Sequence, residues 1–186
     1  MQIGIDLGAT KIEYVLLDNN NIELKRDRVQ TPKDYENTII SITEIVKKLE
    51  NKSGKFNVGI CHPGAVDKTT GLIKNAHNSQ WLNNKNLIKD LKLKINNNFL
   101  SENDANCFCL SEAFDGSASH YETVFITTYG LFFHIYNDPS LVHYSLGFFE
   151  LLFQSPLPYM VESDCFLKLW SIFSNRDFGK PILTGS

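Results

Sequence analysis

Residues 2–30 read QIGIDLGATKIEYVLLDNNNIELKRDRVQ. Ile3, Ile5 and Leu7 alternate with small or polar residues, which puts one apolar face on an extended segment. Gly8-Ala9-Thr10 follows as a tight turn, and residues 12–18 read as a second strand rich in Ile, Val and Leu. Asn19-Asn20-Asn21 closes a hairpin, because Asn tolerates the positive φ that turn tips need. Residues 22–30 give a third strand, and Thr31-Pro32 breaks the pattern.

Working outward, residues 34–50 carry Ile39, Ile42, Ile45, Val46 and Leu49 at helical spacing. Residues 56–61 form a short apolar strand that ends at His62-Pro63-Gly64. Leu87, Leu91 and Ile95 mark another helix, Phe99-Leu100 a short strand, Asn103 to about Gly116 a helix, and Val124 to Thr128 a strand. A meander of three strands followed by strand–helix alternation predicts an α/β fold with a mixed sheet and flanking helices. That is the layout of a ribonuclease-H-like, actin-type ATPase domain. The expected division is residues 1–120 for this domain and 121–186 for an incomplete, degenerate start of a second one.

The chain has 186 residues and a formal net charge of −3. No basic stripe points to nucleic acid, and no apolar run is long enough for a membrane span. The chain opens into strand-like sequence at Met1-Gln2-Ile3-Gly4, with no secretory leader pattern, so the expected location is the cytoplasm. Cys61, Cys107, Cys109 and Cys165 lack the C-x-x-C spacing of a redox or zinc pair and are expected to be reduced and mostly buried. Asn96-Asn97-Asn98 is expected at a turn tip.

Three segments together resemble the ROK family of sugar kinases. Asp6-Leu7-Gly8-Ala9-Thr10-Lys11 is similar to the family's DxGGTK turn, with Ala9 in place of its second glycine. Val58-Gly59-Ile60-Cys61-His62-Pro63-Gly64-Ala65-Val66-Asp67, with Thr70-Gly71 and Asn75-Ala76-His77-Asn78 after it, resembles GxGxPGxxD…G…N. Ser101-Glu102-Asn103-Asp104-Ala105-Asn106 carries NDAN, the most specific match. The resemblance implies that Asp104 is the catalytic base for a sugar hydroxyl. It implies that Gly64, Asn103 and Asn78 (or Asn75, if the spacing slips) border the sugar. It also implies that Gly8, Thr10 and Lys11 meet the phosphates of ATP and that Asp6 can hold magnesium, a cation that prefers oxygen ligands. Read without the resemblance, Asn103 or Asp104 would simply cap a helix. His62 stands where the family has small residues, and no second ligand at suitable spacing argues for a metal there.

Beyond residue 128 the family pattern fails. Its glycine-rich GTGxGGG loop is replaced by Thr128-Tyr129-Gly130-Leu131-Phe132-Phe133-His134, where a Phe pair would block backbone approach to phosphate. At the family's GExGH, anchored on Pro156-Leu157-Pro158, stand Leu151 and Gln154. Cys165 is a lone remnant of its zinc motif, and zinc needs four ligands, so a lost zinc site is expected.

The expected activity is ATP-dependent phosphorylation of a hexose. Thr31-Pro32-Lys33-Asp34 and Ser111 to Gly116 look closest to the fructokinase branch, with N-acetylglucosamine or glucose/mannose as alternative sugars. Selective damage after residue 128, and a length short of a whole family member, suggest a truncated gene product with impaired activity. The competing reading is an inactive sugar-binding or interaction remnant, with Phe132, Phe148 and Phe153 suited to an interface such as a homodimer. A ROK repressor is not expected, since no helix-turn-helix precedes the first strand.

Overall fold

The opening hairpin folds as its alternation predicts, with β1 at Gln2–Leu7, β2 at Lys11–Leu17 and β3 at Glu23–Gln30. The computed structural model describes residues 1–50, 55–114, 119–120, 123–128 and 131–136. Two compact units are distinguishable, Met1–Asp104 and a second beginning at Ala105.

The first unit is built on a five-stranded sheet ordered β3-β2-β1-β4-β7, where β4 is Asn57–His62 and β7 is Asn98–Asn103. β1 pairs antiparallel with β2 and parallel with β4, and β4 pairs parallel with β7. The sheet is therefore mixed, and β1, β4 and β7 all end at the same edge. Rows of in-register residues share a face. Ile3, Val58 and Phe99 form one such row, and all three are buried. Asp6, Cys61 and Glu102 form another on the opposite face, with Glu13 beside Asp6 across the hairpin.

The apolar face packs on two helices. Helix α1 (Tyr35–Glu50) buries Ile39, Ile42, Ile45, Val46 and Leu49, the stripe read from its spacing. Asp34 caps it, accepting from the Asn37 N–H at 2.8 Å. Helix α2 (Leu87–Lys94) buries Leu87 and Leu91 and is capped by Asn86, which accepts from the Lys89 N–H. Each buried aliphatic side chain contributes on the order of 1.5–3 kcal/mol. The outer strand β3 is almost wholly exposed and rich in charge, which protects a sheet edge from pairing with other chains.

Between β4 and β7 lie three elements too short for periodicity to reveal. They are β5 (Ala65–Val66), β6 (Ile73–Lys74) and a 3₁₀ helix at His77–Leu82. Strand β7 spans Asn98–Asn103 rather than Phe99-Leu100 alone, because polar Ser101, Glu102 and Asn103 continue the pairing with β4. Asn97 is not at a turn tip. It is 8% exposed, and its amide donates to the Phe56 carbonyl at 3.0 Å and to the Glu50 carboxylate.

Helix α3 (Asp104–Phe114) opens on the last residue of the first unit, and the second unit also holds β8 (Thr123–Thr128) and β9 (Leu131–Tyr136), which pair antiparallel. Phe132 and Phe133 thus lie in a paired strand and not in a loop, as their β-favouring composition allows. Cys61, Cys107 and Cys109 are buried. No helix among the described residues is long and apolar enough to cross a membrane. The expectations on Phe148, Leu151, Phe153, Gln154 and Cys165 fall outside the described residues.

Candidate active site

The turn joining β1 to β2 is closed by the Gly8 N–H donating to the Lys11 carbonyl at 3.0 Å. A Cβ on Gly8 would stand 2.9 Å from that carbonyl oxygen, so glycine is required by the turn's own backbone. The Gly8 N–H is thus engaged within the turn. The turn carbonyls are all engaged by the segment just before α1. Thr31 Oγ1 donates to Gly8 O at 2.8 Å, the Lys33 ammonium to Ala9 O at 2.5 Å, and the Thr31 N–H to Thr10 O at 3.0 Å. Fixing the carbonyls fixes the turn, with Ala9 and Thr10 at its tip.

Lys11 is exposed and holds Glu13 at 3.3 Å, and Glu13 also receives Arg26 at 3.4 Å. Its ammonium is therefore spent on its own strand. Asp6, by contrast, is pushed up to about 6, first by burial, then by the nearby Asp104 and Glu13 carboxylates, with Lys11 offsetting in part. Asp104 is exposed, and it opens α3 directly after β7. Parallel pairing brings the ends of β1 and β7 to one edge, so Asp6 and Asp104 feel each other there.

Asn103 binds Gly64: its amide donates to the Gly64 carbonyl at 2.9 Å, tying β7 to the Pro-Gly turn. Gly64 has φ +82°, and a Cβ there would lie 2.6 Å from the Lys74 carbonyl oxygen. No other residue fits without moving backbone. Asn78 lies exposed on the 3₁₀ helix, whereas Asn75 takes a left-handed φ of 59°. The turn accounts for Asn75, so Asn78 is the better candidate for sugar contact.

His62 is fully buried at the end of β4. Its Nδ1 lies 3.0 Å from the Pro63 carbonyl, and its Nε2 has no partner. Burial pushes its pKa down, so the ring is neutral at pH 7. Among the described residues no three His, Cys, Asp or Glu side chains gather to hold a metal. Magnesium asks for less: one or two carboxylates, with phosphates and water supplying the rest. The mutual repulsion of Asp6 and Asp104 fits such a cation. Two neighbours escaped the sequence reading. Glu13 was detectable from strand alternation, which places it beside Asp6; Lys33 carried no sequence signal.

The family model described as ROK family matches residues 2–131. The N-acetyl-D-glucosamine kinase of Haemophilus influenzae (strain 86-028NP) is 39% identical over 126 residues, covering 67% of this chain and 41% of that protein. The enzyme of the same name from Escherichia coli O127:H6 (strain E2348/69 / EPEC) is 34% identical over 126 residues, with the same shares. Among solved structures, a ROK hexokinase from Thermus thermophilus matches with a TM-score of 0.60 and 26% identity, over 73% of this chain and 46% of that one. A ROK family glucokinase from Streptomyces griseus, in complex with glucose and AMPPNP, matches with a TM-score of 0.60 and 26% identity, over 72% and 43%. The chain spans about two fifths of the length of these curated relatives. Their names do not support the fructokinase branch.

Proposed function

The chain belongs to the ROK family, and from that premise we propose that it is the sugar-and-phosphate half of an ATP-dependent hexose kinase whose sugar is N-acetylglucosamine. The observation that carries this reading is the meeting of Asp6 and Asp104 at one sheet edge, beside the closed phosphate turn. Asp104 accepts the proton of the sugar's primary hydroxyl. The freed oxygen forms a bond to the γ-phosphorus of ATP, the bond from that phosphorus to the β-phosphate bridging oxygen breaks, and ADP leaves. Asn78 and Asn103, with the Gly64 turn that Asn103 holds, orient the sugar. Thr10 meets phosphate from the turn tip, and Lys11 acts mainly by balancing Glu13. Asp6, with Asp104 beside it, would hold magnesium, which neutralises phosphate charge when bound.

The choice of N-acetylglucosamine over fructose, glucose or mannose rests on the relatives' names. The same proposal takes residues 1–120 as the kinase-type domain and 121–186 as part of a second. It takes the protein to act in the cytoplasm as a homodimer, with no nucleic-acid or membrane partner and no zinc.

A coupled assay of ADP release over N-acetylglucosamine, fructose, glucose and mannose tests the proposal. Turnover is expected to be highest with N-acetylglucosamine. A preference for fructose would overturn the sugar assignment, and no turnover with any hexose would overturn the kinase assignment. The sequence of residues 128–134, which lacks the family's glycine-rich pattern, favours one second reading, a sugar-binding remnant. Calorimetry would identify it as binding of N-acetylglucosamine without binding of ATP.

A further inference from the structure

Lys33 occupies a place that the proposed chemistry has not used. Its ammonium donates to the carbonyl of Ala9, the middle residue of the phosphate turn, at 2.5 Å. The same nitrogen lies 5.2 Å from the centroid of the Trp81 ring. Trp81 sits in the 3₁₀ helix His77–Leu82, three residues after Asn78. One cation therefore reaches both the turn assigned to phosphate and the segment assigned to sugar. A phosphoryl group moving from nucleotide to sugar must pass between those two elements.

The charge balance points the same way. Asp6, Glu13 and Asp104 gather on one side of the site, where burial first and the two neighbouring carboxylates second raise Asp6. A polyphosphate brought against them needs cations. Lys11 and Arg26 are both engaged with Glu13. Lys33 has no carboxylate partner among the described residues and is held by a carbonyl and an aromatic face. Both are contacts with uncharged partners, a carbonyl dipole and a ring face. A phosphate oxygen carries a full negative charge where the Ala9 carbonyl carries only a dipole, so it attracts the ammonium more strongly. Lysine has three protons to give, so it can meet phosphate while still resting on Ala9.

We propose that Lys33 is a phosphate-contacting residue of the site, parked on Ala9 and Trp81 until a polyphosphate draws it across. This deepens the kinase reading and rests on it for the identity of the turn.

Trp81 reports the event directly. The chain has two tryptophans, and Trp170→Phe leaves Trp81 as the single indole. Inorganic tripolyphosphate with magnesium is the probe, since it needs no adenine pocket. Its titration is expected to change Trp81 emission saturably as the ammonium leaves the ring. Lys33→Met is expected to raise the midpoint about tenfold, the loss of one charge-assisted bond. Lys33→Arg should stay within about threefold of the parent, because it keeps the cation. N-acetylglucosamine affinity, read by calorimetry, should be unchanged in both variants, which a merely structural pin would not allow. Equal midpoints for Lys33→Met and its parent would overturn the proposal, and so would the absence of any saturable response. The kinase reading fails separately: Lys33-dependent tripolyphosphate binding without hexose-dependent ADP release would sink it while leaving this inference in place.

Discussion

Asp6 and Asp67 are both aspartates of motif segments, and the fold treats them in opposite ways. Asp6 lies next to the end of a central strand, where burial and two like charges push it up to about 6. Asp67 begins an exposed loop, where the Lys74 ammonium and then Thr70 hold it well below the usual carboxylate range, and the Thr69 N–H also donates to it. One carboxylate is left short of partners and the other is given several. The fold thus spends its local hydrogen bonds on scaffold at the β5–β6 loop and withholds them at the phosphate turn. A group that is raised in free energy when ionised is one that a cation or a substrate can relieve.

The largest effect is expected where that withheld stabilisation meets chemistry. Asp104→Asn keeps the shape of the residue and its place at the start of α3 but removes the proton acceptor. Hexose-dependent ADP release should fall by roughly a thousandfold, in the range of a lost general base. Sugar affinity by calorimetry should change little. If turnover survives the substitution, Asp104 is a helix cap and the active edge has been misread.

A smaller effect is expected from Asp6→Asn, and its sign follows from the raised pKa. An aspartate ordinarily near 3.8 that titrates near 6 when folded takes up a proton on folding between those values. Stability therefore falls as pH rises through that window, and above it the full penalty is present, up to about 3 kcal/mol. Asp6→Asn removes the penalty. Denaturant unfolding at pH 4 to 7 should show the variant gaining on the parent across the window and level above it. Magnesium should raise the melting temperature of the parent and not of the variant. A stability difference that ignores pH would show that Asp6 is not strained by its neighbours.

The same contrast explains what could be read from sequence. The strands and helices of the first unit were legible because alternation in β1 and the Ile39–Leu49 stripe of α1 are long enough to show a period. The two-residue strands β5 and β6 were not, since neither contains a full repeat. Asn97 was assigned to a turn by its type, yet its amide reaches Glu50 and Phe56 across more than forty residues of chain, a contact no local rule contains. At the site, Asp6 and Asp104 were legible as motif residues. The commitment of the Gly8 N–H to its own turn, the pairing of Lys11 with Glu13 and the arrival of Lys33 at Ala9 were not. Each depends on which polar groups the fold brings within reach of one another.

The smallest effect is expected at Asp67, and it should carry the opposite slope to Asp6. A carboxylate whose folded pKa lies below its ordinary value releases its proton on folding, so its contribution is present above about pH 4. It is lost as pH falls toward the folded value. Asp67→Asn keeps an oxygen for Thr69 and Thr70 and removes only the charge that attracts Lys74. The variant should be slightly less stable than its parent at neutral pH, and the gap should close below pH 4. Raising the salt concentration should shrink the gap, because the Lys74–Asp67 pair is open to solvent and screened by ions. Hexose-dependent turnover should be unchanged. A gap that instead widens toward low pH would mean that Asp67, like Asp6, is burdened by its ionisation, and the division between scaffold and active carboxylates would not hold.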